Sequence, residues 1–201
     1  LGKKLEKLGY GTGLYKTSPY TAVKVPIFSF EKLQDLDTHL GPEMKSTGEV
    51  LGIGKALDEA LYKGLVAAGY KMQRNGGILL TVRNNDKSEI ADVAKKFAEL
   101  GFELYSTYGT ADVLEKCGLK VTRVKKISEC REENTMSLLK TGKINLIIST
   151  STRGRIPTND DVRLRRQAVT LGIPCLTSID TAKALAYSLK SRYSQLNTEL
   201  V

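Results

Sequence analysis

Four stretches of this chain carry residue types suited to holding an anionic oxygen. They are Lys87, the run Thr107-Tyr108-Gly109-Thr110, Lys126, and the run Ser149-Thr150-Ser151-Thr152, which leads into Arg153, Gly154 and Arg155. Hydroxyls donate hydrogen bonds to phosphate, an ammonium adds full charge, and a guanidinium presents a planar fork that matches phosphate geometry. Gly109, between two hydroxyl-bearing positions, lets the backbone come close to a ligand. Each signal is weak alone, because Thr110 could simply cap a helix and a lysine is ordinarily solvated. Their recurrence at four similar places is what raises them, and four consecutive hydroxyls followed by two arginines suit a phosphate with a ribose attached. The groups that would transform a phosphate do not accompany them. His39 is the single imidazole, no G-x-x-x-x-G-K-[ST] loop occurs, and a Ser-His-Asp set has nothing to form around. The three cysteines, Cys117, Cys130 and Cys175, make no C-x-x-C pair, so neither a disulfide framework nor a transition-metal site has a basis. The reading is of a site that binds, with no catalytic and no metal-ligating residues.

The elements that must position these residues are legible from residue 76 onward. Ile78 to Val82 is a short apolar run of the kind buried in a parallel sheet, with the turn Arg83 to Asp86 after it. Ile90, Val93, Ala94, Phe97 and Ala98 recur at helical spacing, and Gly101 supplies a left-handed stop. The pattern then repeats. Phe102 to Ser106 reads as a strand, Ala111 to Cys117 as a helix closed by Gly118, Val121 to Val124 as a strand, and Glu132 to Lys140 as a helix. Ile144 to Ile148, Asn159 to Leu171, Pro174 to Thr177 and Ile179 to about Arg192 continue as strand, helix, strand and helix. This predicts an α/β fold, Rossmann-like, with a mainly parallel five-stranded sheet and helices on both faces. Ligands in such sheets bind beyond the carboxyl ends of the strands, which is where Lys87, Thr107, Thr110, Lys126 and Ser149 fall. On this view Asp160 and Asp161 serve the dipole of their helix, Arg163 belongs to a solvated face, and Glu129, Glu132 and Glu133 open a helix.

Residues 1–72 lack that rhythm. Ala22 to Phe30 reads as one or two strands broken by Pro26, Gly41-Pro42 begins a loop, and a helix resumes after Gly54 with Leu57, Leu61 and Leu65 on one face and Gly69 at its end. The stretch Gln73 to Gly77 marks the boundary between this part and residues 73–201. A net charge of +9 would suit nucleic acid, but the basic residues are interspersed with acidic ones and only 6% are aromatic, so the expectation is no nucleic-acid partner. The apolar runs are far shorter than the roughly 20 residues that cross a bilayer, and no signal-peptide pattern opens the chain, which predicts no membrane partner and a cytoplasmic protein. The chain opens at Leu1, directly in a helix-like KKLEKLG segment, and reads as the tail of something longer.

The stretch Leu40-Gly41-Pro42-Glu43-Met44-Lys45-Ser46-Thr47-Gly48-Glu49-Val50-Leu51-Gly52 resembles the segment that joins the second ATP-grasp half of the carbamoyl phosphate synthetase large subunit to its C-terminal regulatory domain. LGKKLEKLGYGTGLY and VPIFSFEKL are similar to the end of that ATP-grasp half, and LLTVRNNDK, GFELYSTYGTADVL and INLIISTSTRGR to its methylglyoxal-synthase-like allosteric domain. The resemblance covers the whole chain. It implies a tail of the ATP-grasp domain and connector over residues 1–72 and a regulatory domain over residues 73–201. It implies a parent ATP-dependent ligase that makes carbamoyl phosphate for pyrimidine and arginine synthesis, using ATP and Mg or Mn, with ammonia from a glutaminase small subunit. The catalytic residues would lie upstream, so this piece would itself carry no cofactor and no catalysis. Lys87, Thr107, Thr110 and Lys126 fall on the family's effector-phosphate positions, and Ser149 and Ser151 where base and ribose contacts are expected. Ser149, Leu176 and Val25 stand where purine- and ornithine-responsive members have Asn, an acidic residue and Glu. These departures disfavour an ornithine site and favour UMP as effector, with IMP or phosphoribosyl pyrophosphate as the alternatives.

Other functions compete. Methylglyoxal synthase shares the domain, but places a catalytic Asp within a G-G-D-Q-Q type stretch where this chain has Ser128-Glu129-Cys130-Arg131-Glu132-Glu133, and uses a His with no counterpart here. Inosine monophosphate cyclohydrolase carries a similar S-T-G-G-T element, but not the GPEMKSTGEVLG segment.

Overall fold

The structure is a computed structural model that describes residues 2–14, 16–28, 44, 46–71, 73, 75–150 and 160–190. Five strands, β3 (Gly76–Thr81), β4 (Phe102–Thr107), β5 (Val121–Val124), β6 (Ile144–Ser149) and β7 (Cys175–Leu176), form a sheet in the order β5-β4-β3-β6-β7. Every neighbouring pair is parallel. The helices α2 (Lys87–Glu99), α3 (Tyr108–Lys116), α4 (Thr135–Lys140), α5 (Asp160–Thr170) and α6 (Ile179–Lys190) alternate with them. The chain walks outward from β3 to β5 and then returns to β6 on the other side of β3. That reversal opens a crevice at the carboxyl ends of β3 and β6.

Alternation along the strands sorts the core onto the two faces of the sheet. Ile78 and Leu80 of β3, Leu104 of β4 and Leu146 and Ile148 of β6 face one way, against Ile90, Val93, Ala94 and Phe97 of α2 and Ala182, Leu185, Ala186 and Leu189 of α6. Leu79, Tyr105 and Ile147 face the other way, against Leu139 of α4 and Leu164 and Ala168 of α5. Phe97 is fully buried and meets Phe102 edge-on, with ring centroids 5.5 Å apart and planes at 89°. Truncating such a ring to alanine costs about 3–5 kcal/mol, so this contact is a principal anchor of α2.

The first part of the chain forms a smaller unit on the first of these faces. A 3-10 turn at Leu5–Leu8 buries nothing. β1 (Thr21–Ile27) pairs antiparallel with β2 (Gly48–Gly54), and α1 (Leu57–Ala67) covers them. Val25 and Leu65 enter the same apolar cluster as the large sheet, and α1 packs on α6.

Several elements differ from the sequence reading. β1 runs unbroken through Pro26, opposite Glu49, because each strand of a two-stranded sheet is an edge and the missing N–H costs no ladder bond there. The second half of the expected GPEMKSTGEVLG loop is strand β2, while Gly41, Pro42 and Glu43 lie outside the described residues. Leu57 is 61% exposed, so the buried face of α1 is Ala60, Tyr62, Gly64 and Leu65. α3 begins at Tyr108, not Ala111, and α4 at Thr135, not Glu132. In α4 the start is set by Asn134, whose side chain accepts from Met136 N (2.8 Å) and Ser137 N (3.1 Å) while Ser137 Oγ accepts from Asn134 N (3.0 Å). Glu129 instead accepts from the backbone N–H of Lys126 at 2.9 Å, in the loop before the helix. α6 is described to Lys190; Arg192 lies outside the described residues.

Candidate functional site

A cleft of about 910 Å³ occupies the crevice where the strand order reverses. Each wall is the carboxyl end of a strand and the segment after it. From β3 come Thr81, Val82 and Arg83, then Asn84 and Asn85 of the turn before α2, then Lys87 at the first position of α2. From β4 come Thr107 and, in the first turn of α3, Gly109 and Thr110. Lys126 and Ser128 follow β5, Thr150 follows β6, and Asp160, Asp161 and Leu164 of α5 close the far side with Thr135 of α4.

The hydroxyls are oriented by the backbone of the neighbouring strand. Thr110 is 1% exposed, and its Oγ1 accepts from the N–H of Val82 at 3.4 Å. Thr150 Oγ1 accepts from Arg83 N at 3.1 Å, while the Thr150 N–H donates to the Thr81 carbonyl at 3.2 Å. A hydroxyl whose lone pair is engaged in this way keeps its proton, and neither Thr110 nor Thr150 donates it to another described residue. Thr107 Oγ1 lies 3.5 Å from Thr81 Oγ1, a long contact. Ser106, one residue earlier, is fully buried and donates to the Leu80 carbonyl at 2.8 Å, fastening β4 to β3 just below the cleft.

Among the described residues no side chain caps the amino end of α3. Thr107 is its N-cap, with extended backbone (φ −69°, ψ 150°), but makes no capping hydrogen bond from its side chain, and no acid occupies the first turn. The first N–H groups of a helix have no intrahelical partner, and the helix dipole adds positive potential there. Lys87 comes over this turn. A β-carbon placed on Gly109 would meet its Nζ at 2.9 Å, so glycine is what lets the ammonium settle above the helix start. Arg123 of β5 pins α3 from outside: its Nε donates to Glu115 (3.0 Å), its NH2 pairs with Asp112 (2.8 Å), and the guanidinium lies 5.5 Å from the Tyr108 ring. The hydrogen bond from Arg123 holds the Glu115 carboxyl below its ordinary value.

The far side has the opposite polarity. Asp160 Oδ2 accepts from both the N–H (3.0 Å) and the Oγ (2.7 Å) of Ser128. Arg165 behind it is 4% exposed, and its NH1 comes only within 3.8 Å of Asp161 Oδ2. Arg163 is exposed, as expected for a solvated arginine, while Arg165 is buried, and the two aspartates stand in the cleft wall rather than serving only the helix dipole. In the loop before α4, Cys130 has its thiol pKa lowered by the N–H groups of Glu133 and Glu132.

Of the residues singled out in the sequence, the cleft brings together Lys87, Thr107, Gly109, Thr110, Lys126 and Thr150. Ser149 ends β6 beside it, 1% exposed, with an Oγ that has no hydrogen-bond partner among the described residues. Ser151, Thr152, Arg153 and Arg155 lie outside the described residues. Sequence reasoning missed Thr81, Asn84, Asn85, Ser128, Thr135, Asp160 and Asp161 as wall residues. Only the first three carried a signal, since they end or immediately follow the first strand of the alternation. A second cleft, about 740 Å³, lies between α2 and α6, lined by Lys95, Lys96, Lys183 and Lys190 around Tyr187, and contains none of the predicted residues.

Among the described residues no helix is long and apolar enough to cross a membrane. Compared with solved structures, the chain is similar to a methylglyoxal synthase from Elizabethkingia anophelis, at 20% identity and a TM-score of 0.46, over 56% of this chain and 78% of that one. A family model described as the MGS-like domain matches residues 89–177, from the first turn of α2 to just past β7, and the five-stranded parallel sheet between two layers of helices is consistent with that family.

Proposed function

We propose that this chain is the effector-binding part of a carbamoyl phosphate synthetase large chain and that the cleft takes the phosphate of a regulatory nucleotide, UMP foremost. One observation carries the reading: the uncapped first turn of α3 converges with Lys87, Lys126 and the positioned hydroxyls of Thr110 and Thr150 on one cleft. That arrangement offers an anion full charges, oriented O–H donors and free amides together. Residues 1–72 are then the tail of the ATP-grasp half and its connector, residues 73–201 the allosteric domain, and ATP with Mg or Mn belongs to the upstream catalytic half. Partners are the rest of the large chain and the glutaminase small subunit. Calorimetric titration with UMP, IMP and phosphoribosyl pyrophosphate tests this reading. UMP is expected to bind most tightly, and absence of binding by all three overturns it.

A second reading is supported by the two carboxylates in the cleft wall. In a methylglyoxal-synthase-type lyase, a carboxylate would take the proton from the carbon next to the carbonyl of dihydroxyacetone phosphate. The resulting enediolate would break the C–O bond, release inorganic phosphate and leave the enol of methylglyoxal. Phosphate release from dihydroxyacetone phosphate by the pure protein separates the readings: the regulatory reading expects none.

A further inference from the structure

The cleft is bipolar, and a bare phosphate would use only half of it. One end presents Lys87, the amides of α3 and the Thr110 hydroxyl; the other presents Asp160 and Asp161. Two carboxylates in the wall of an anion site repel phosphate unless the ligand carries hydrogen-bond donors towards them. Asp160 is not a free surface acid. Ser128 fixes its Oδ2 with two hydrogen bonds, at 3.0 and 2.7 Å, while no described residue donates to its Oδ1. A carboxylate held by one oxygen, with the other unengaged at a cleft wall, is a preorganised acceptor for hydroxyl groups. Arg165 stands 3.8 Å from Asp161 Oδ2 and sets a buried positive charge beside that carboxylate.

We propose that Asp160, positioned by Ser128, is a specificity residue that accepts from a sugar hydroxyl of the ligand, so that the cleft selects a phosphorylated polyol over inorganic phosphate. The inference rests on the nucleotide-effector reading and narrows it to the ribose. Asp161 shares the wall and adds the electrostatic penalty against ligands that bring charge without hydroxyls, such as pyrophosphate.

The test is calorimetric titration of the full chain and its Asp160→Asn and Ser128→Ala variants with three probes: inorganic phosphate, pyrophosphate and ribose 5-phosphate. Wild type is expected to prefer ribose 5-phosphate over phosphate by roughly tenfold or more, the value of one hydrogen bond to a charged group. Asp160→Asn should weaken ribose 5-phosphate and leave inorganic phosphate unchanged or tighter, because removing the negative charge removes repulsion. Opposite directions for the two probes cannot come from a folding defect, which weakens both. Ser128→Ala, which keeps the carboxylate but frees it, should weaken ribose 5-phosphate less than Asp160→Asn does. Equal change for phosphate and ribose 5-phosphate in Asp160→Asn overturns the hydroxyl role while leaving the phosphate site standing. No binding of ribose 5-phosphate by wild type overturns the hydroxyl role, whereas the effector reading falls only if UMP, IMP and phosphoribosyl pyrophosphate also fail to bind.

Discussion

Two helix starts face the same cleft with opposite equipment. α3 enters with Thr107, Tyr108, Gly109 and Thr110 and no acid in its first turn; α5 enters with Asp160 and Asp161. Both begin after a strand of the same sheet, and both have the same dipole. In α5 the carboxylates answer that dipole from within the helix, whereas α3 has no acid in its first turn and no side-chain cap. A helix start stays available to an anion when its own sequence does not neutralise it, and the first turn of α3 carries a glycine and threonines where α5 carries acids.

The strongest way to break the contrast is to remove the charges that reinforce α3. Lys87→Met with Lys126→Met should weaken nucleotide binding by roughly a hundredfold or more, two charge-assisted contacts at about 1.5–3 kcal/mol each, as read by calorimetry. A loss of less than threefold would mean the anion sits elsewhere. Next is Thr110→Val, which keeps the shape and deletes the hydroxyl. It should cost about tenfold or more in affinity and, by leaving the Val82 N–H without its acceptor, about 1–3 kcal/mol of stability in urea unfolding, whereas Thr110→Ser should restore most of both. Gly109→Ala should be milder. Its methyl displaces the end of a flexible lysine, so binding should fall by about 0.5–1 kcal/mol while the melting temperature holds, since alanine suits a helix better than glycine. The smallest effect concerns how α3 is anchored. Glu115 has its pKa depressed in the fold by Arg123, so its contribution is present above the ordinary glutamate value and is lost as pH falls through the depressed one. Wild type should therefore lose slightly more stability on acidification in that window than Glu115→Gln, compared by thermal melts at low salt.

Much of the α/β alternation could be read from the sequence because strand and helix periods are local. β5 (Val121–Val124) falls where the apolar spacing places it, and Ile78 to Leu80 read as buried because both faces of β3 are covered. The helix starts were less legible. Thr107 to Thr110 contain a glycine and two hydroxyls, which favour turns, yet Tyr108 onward is helical because β4 delivers the chain directly into α3 and Ala111 and Leu114 bury against the core. Glu132 and Glu133 suggested a first turn, but a well-formed capping box at Asn134 outweighs acidic preference. The positive half of the cleft could be anticipated since every member follows a strand end. Asp160 and Asp161 could not, because an acid in a first turn is so often a dipole partner that its spacing says nothing about a crevice shared with α2 and α3, which end at Glu99 and Lys116. Ser128 likewise gains its role only from the fold, which brings it to Asp160.

The glycines of the smaller unit have a mechanical consequence. A β-carbon on Gly52 would collide with the carbonyl of Ala60 and lie 2.5 Å from the N atom of Gly64, and one on Gly64 would lie 2.8 Å from Val25 Cγ2. Strand β2 and helix α1 thus touch main chain to main chain. A layer of side chains works as a cushion, absorbing small displacements through rotamer shifts; bare backbones have no such give. The hairpin and α1 must travel as one solid piece. Because α1 contacts α6, whose inner face packs on the same core as β3 and β6, a tilt of α6 that moves α1 carries β1 and β2 with it as one body.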